Sequence, residues 1–71
     1  MDLKFETYCP VCLITPLSVK GHSWLLRNVS VEADQWIGGA MLVELWLAQG
    51  IFDGARGDGL EVDLREVLEI K

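Results

Sequence analysis

Cys9 and Cys12 bracket a proline in Tyr8-Cys9-Pro10-Val11-Cys12. A Cys-x-x-Cys pair can offer two thiolates to one zinc ion when the chain turns between them. Pro10 suits the second position of such a turn. Zinc usually takes four ligands, and His22 is the only obvious third one in this chain. Two copies could supply four thiolates, which would give a metal-clasped homodimer with zinc as its cofactor. Redox chemistry asks the motif to open a helix within a βαβ unit, and Leu13-Ile14-Thr15-Pro16 does not read as one. The competing reading makes both cysteines small apolar core residues. On an extended chain, residues three apart point to opposite faces, so the two sulfurs could not share a metal.

Other reactive side chains stand alone. His22 lies beside Gly21 and Ser23 in a turn-like stretch, and nothing in the spacing of Ser18, Ser23 and Ser30 marks an activated nucleophile. A catalytic histidine needs both a nucleophile and an orienting acid. The aspartates of Asp53–Gly59 lack the ligand alternation and closing glutamate of a calcium loop. Arg56-Gly57-Asp58 and Asn28-Val29-Ser30 spell an integrin-type tripeptide and a glycosylation triplet. Both carry little weight without a secretory signal. The expectation is a non-enzymatic protein.

The elements that would carry these residues follow from periodicity. Leu3, Phe5 and Cys9 alternate with polar neighbours, which predicts a half-buried strand. Pro10 interrupts it, and an extended reading resumes from Val11 to Val19. Lys20–Ser23 reads as a turn and Trp24–Glu32 as a returning strand, so a hairpin is expected across Gly21. Asp34 to Gly50 reads as a helix that is apolar on nearly every side, capped by Asp34 and ended by Gly50. The glycine-rich stretch Asp53–Gly59 reads as a mobile connector. Leu60–Lys71 alternates with period two and is expected to be a strand. A capping-box pattern at Asp63–Glu66 keeps a short helix over Asp63–Ile70 in play.

The expected fold is α+β, with a small three- to four-stranded, mainly antiparallel sheet packed on one central helix. Its strand-strand-strand-helix-strand order resembles β-grasp domains in architecture. Residues 1–71 form a single domain, in a size range where one core is marginal and oligomerisation often helps.

Composition narrows the function classes. Lys and Arg total 6 against 11 Asp and Glu, for a net charge of −5. That balance disfavours nucleic acid, whose binding draws on cations meeting phosphates, and it suits a basic protein surface. Neither a signal peptide nor a membrane span is expected, so the reading is cytoplasmic. A helix apolar all round needs cover on two sides, and so short a chain can supply one. The expectation is therefore a small acidic inhibitor- or adaptor-type protein that binds a partner or itself, with no small-molecule substrate. Trp36, Gly38, Gly39, Val43 and Trp46 are the expected contacts on the helix, with Trp36 the more exposed tryptophan. The alternative is a zinc-binding structural protein on Cys9 and Cys12.

Overall fold

The computed structural model describes residues 1–8, 10–29 and 36–66, with Glu66 described by its backbone alone. Seven elements follow one another: β1 (Leu3–Tyr8), β2 (Val11–Pro16), α1 (Val19–Asn28), β3 (Trp36–Ile37), β4 (Ala40–Glu44), α2 (Leu45–Gly57) and β5 (Val62–Glu66). The fold is α+β, as expected, but the described residues form five strands and two helices. The strands form one mixed sheet in the order β3-β4-β2-β1-β5, in which β5 runs parallel to β1 and the other pairs are antiparallel.

The expected helix over 34–50 is replaced by a hairpin followed by a different helix. Gly38 and Gly39 take φ of +56° and +84°, the two left-handed positions of a two-residue turn whose twist matches paired strands. They join β3 to β4, with Trp36 opposite Met41 and Ile37 opposite Ala40. The unbroken apolar run thus splits in two. Its first half is a strand with neighbours on both sides, and its second half opens α2. Asp34, the expected cap, lies outside the described residues, as do residues 67–71.

Helix α2 starts where β4 stops. Leu45 N–H donates to the Pro10 carbonyl at 3.0 Å, so no loop separates strand from helix. The helix buries Ala48, Ile51 and Ala55, at the three- and four-residue spacing of one helical stripe. It absorbs the expected connector. It ends at Gly59 (φ +86°) rather than Gly50: Gly59 N–H donates to the Arg56 carbonyl and Leu60 N–H to that of Ala55. This pair of bonds is the Schellman closure, and it brings buried Leu60 onto buried Ala55.

Helix α1 stands where the returning strand was expected. Ser18 accepts from Gly21 N–H at 3.0 Å as its N-cap. Gly21, Trp24 and Leu25 face inward. The Ser18 hydroxyl donates in turn to Asp2 at 2.6 Å, and the other Asp2 carboxylate oxygen accepts from Glu61 N–H at 2.9 Å. One carboxylate therefore ties the start of β1, the cap of α1 and the entry to β5. Trp24 wedges over Gly54 of α2, and its indole N–H donates to Asp58 at 2.7 Å.

Both helices lie on one face of the sheet. Leu3, Phe5, Cys12, Ile14, Met41 and Val43 from the strands meet Trp24, Leu25, Ala48, Ile51, Ala55 and Leu60 in a single core. Phe52 of α2 packs edge-on against Phe5, with ring centroids 5.3 Å apart.

Two glycines separate close packing from helix propensity. A Cβ on Gly21 would collide with the Asp2 carbonyl oxygen, whereas Gly50 has open space around it. In urea unfolding, Gly21→Ala should cost about 2 kcal/mol or more through overpacking. Gly50→Ala should gain about 0.5–1 kcal/mol through helix propensity. The Asp2 carboxyl is held below its ordinary 3.8, first by the Ser18 hydroxyl and then by the Glu61 amide. A carboxyl lowered in the folded state stabilises it above the ordinary value, and that stability is lost as pH falls through the lowered one. An NMR titration should place the Asp2 midpoint below 3.8, and Ser18→Ala should move it back up.

Candidate interaction surface

The structure scatters the expected contact residues. Val43 is 2% exposed and belongs to the core, so its side chain has no surface to offer. Trp36 is half-buried on the edge strand β3, where its ring meets that of His22 edge-on at 5.8 Å. Trp46 is 73% exposed, with its indole N–H donating to Glu44. The expected order of exposure is reversed, because Trp36 sits on a strand over the core and Trp46 in the first turn of α2. Gly38 and Gly39 form the exposed tip of the hairpin and create no close-approach groove.

Cys12 lies in the core at 1% exposure, and burial pushes its thiol up. That opposes the thiolate a zinc ion requires. Cys9, the other half of the expected pair, lies outside the described residues. His22 is on the exposed side of α1, in a helix instead of a turn. Among the described residues, no three His, Cys, Asp or Glu side chains gather as a metal cluster. No described helix is long and apolar enough to cross a membrane.

The surface that stands out is the sheet face away from the helices. Alternation along each strand sends the partners of the core residues to this side. Strand register then divides the face in two. Toward β3, Leu13 lies opposite Leu42 and Val11 beside Tyr8, with Ile37 at the edge. Tyr8 is 40% and Ile37 55% exposed, while Val11, Leu13 and Leu42 are half-buried. Toward β5, Lys4 lies opposite Asp63 and Glu6 opposite Arg65, so charges alternate in both directions. Lys4 reaches Glu6 at 3.9 Å and Arg65 reaches Asp63 at 3.1 Å. Pairs this exposed contribute little to stability; their effect is to keep this half of the face near neutral.

On the helix side, an open groove of about 390 Å³ runs between α2 and the β1–β5 end of the sheet. Phe5, Cys12, Phe52 and Leu64 give it apolar walls, and Gln49 and Asp53 stand among its lining residues. Leu64 points to this side yet remains 56% exposed.

Sequence reasoning missed the open face because it depends on which strands become neighbours. Val11 and Leu13 read as part of an extended apolar-rich stretch, but nothing local shows that both helices roof the other side. No family model, curated protein or solved structure matches the chain.

The burial of Cys12 has a direct readout. In a Cys9→Ser background, iodoacetamide at pH 8 should label Cys12 at least about a hundredfold more slowly in the native protein than in urea, because only the exposed thiolate reacts.

Proposed function

We propose that this chain is a non-catalytic protein-binding module that docks on a larger protein through the open face of its sheet. It acts by occupying its partner's surface. The observation that carries this reading is the apolar half of that face. Leu13 and Leu42 lie in register at its centre, Tyr8 and Ile37 flank them, and both helices are on the opposite side. A contiguous exposed apolar patch rimmed by polar side chains is the usual mark of a protein contact site. Trp46, whose indole is held by Glu44 at the end of β4, supplies an exposed aromatic side chain of the type enriched at interfaces. The net charge of −5 suits a partner with a basic rim, since complementary fields speed encounter and fix orientation.

This reading replaces a two-sided helix with a one-sided sheet as the source of surplus apolar surface. Affinity capture from native-host extract tests it with a matched pair of variants. Leu13→Lys introduces a cation into the apolar half of the face. Leu26→Lys introduces the same charge on α1, where Leu26 is 60% exposed in the other layer. A partner retained by the wild type and by Leu26→Lys should bind Leu13→Lys at least about tenfold more weakly. Circular dichroism should show all three proteins equally folded. Equal retention by Leu13→Lys would refute docking through this face.

A further inference from the structure

Strand β5 forms one edge of the sheet, and its outward side carries a pattern that is complementary to itself. Leu3 N–H donates to the Glu61 carbonyl, which sets the phase of the parallel β1–β5 ladder. Odd-numbered residues of β5 turn their backbone groups to β1, so Val62, Leu64 and Glu66 turn theirs to the outer edge. We infer that this edge pairs with the same edge of a second copy, antiparallel, about a twofold axis through Leu64.

Three features favour a second copy as the occupant. First, an antiparallel register centred on Leu64 sets Leu64 opposite its own counterpart as a hydrogen-bonded pair. Val62 then faces Glu66 of the second copy in the next such pair, so the outward backbone groups along β5 are satisfied. A strand edge with outward N–H and C=O groups is a template for such pairing. Second, the same register places Asp63 opposite Arg65 of the second copy, twice over by symmetry. These fall at the non-hydrogen-bonded positions, where facing side chains come closest. In one copy Lys4, Asp63, Glu6 and Arg65 already alternate in sign across the β1–β5 ladder. Pairing continues that alternation through the axis with no like charges directly opposite: Lys4 and Asp63 of one copy are followed by Arg65 and Glu6 of the other. Third, on the helix side, Leu64 is 56% exposed at the mouth of the α2 groove. Its counterpart would cover it and bring the apolar walls of the two grooves together across the axis. The joined sheet would have ten strands with both helix layers on the same side. It is an isologous contact, closed at two copies.

For its class of function this rests on reading the chain as a binding module, but the surface is separate from the open face around Leu13. Sedimentation velocity on the full chain over a range of concentrations tests it. The wild type should show a monomer–dimer equilibrium. Asp63→Arg sets cation against cation across the axis, and Arg65→Asp sets anion against anion. Each should weaken the dimer at least about tenfold. Mixed together, the two variants should form a heterodimer, because their like-charged edges complement one another. The double variant Asp63→Arg/Arg65→Asp should dimerise like the wild type, and it keeps the test open if either single variant fails to fold. Leu13→Lys should leave the dimer intact, so loss of partner docking and loss of self-pairing can be told apart. A wild type that stays monomeric up to about 1 mM, single variants that fold and dimerise normally, or a double variant that folds and stays monomeric would overturn the inference. So would a mixture of folded single variants that does not pair, or a dimer broken by Leu13→Lys.

Discussion

The two described helices roof one side of the sheet, and the contrast between its two faces follows from that one-sided cover. Helices α1 and α2 together provide 23 residues, set against five strands. Their inward stripes meet the inward rows of β1, β2 and β4 in one apolar layer. Burial of that layer is the main favourable term available to so small a body. The opposite face therefore meets its surroundings with whatever side chains alternation puts there. On one half these are branched and aromatic, and on the other they are charged.

Polar contacts fasten the layer where apolar packing cannot choose a geometry. The Asp2 carboxylate holds α1 and β5 in place together, and the Trp24–Asp58 bond fixes α1 against the end of α2. Neither bond crosses the middle of the core, and no described polar or charged residue is buried there. Orientation is set at the margins of the core, where desolvating a polar group costs less.

The parts that could be read from sequence are those with local signals. Leu3 and Phe5 alternate with Lys4 and Glu6, and β1 forms there. Val62 and Leu64 alternate with Asp63 and Arg65, and β5 forms there. The middle of the chain misleads for a physical reason. Ala40–Glu44 lies between two strands, so its apolar residues run on with little break, and such a run cannot be told from a buried helix by period alone. Gly38-Gly39 held the decisive clue, because two consecutive glycines between apolar residues suit a tight hairpin turn. Likewise Ser18 could cap a helix over Gly21, Trp24 and Leu25, yet the branched and aromatic residues around it favour a strand locally. Gly50, Gly54 and Gly57 argue against α2 by propensity, and burial of Ala48, Ile51 and Ala55 overrides them. The candidate surface was less legible still. Trp46 is exposed, Val43 is core, and the open face is defined only by the strand order.

Pairing β1 directly with β5 has a consequence for how the molecule comes into being. Asp2 and Glu61 are hydrogen-bonded although 59 positions separate them in the chain. On a ribosome, β1 and β2 can close their hairpin early, whereas the flank of β1 that receives β5 must wait until Val62–Glu66 has emerged. Long-range closure of this kind slows folding, and the waiting flank is a raw strand edge open to pairing with other nascent chains. Crowded synthesis therefore exposes this protein to mispairing at β1, a hazard that ends when β5 docks.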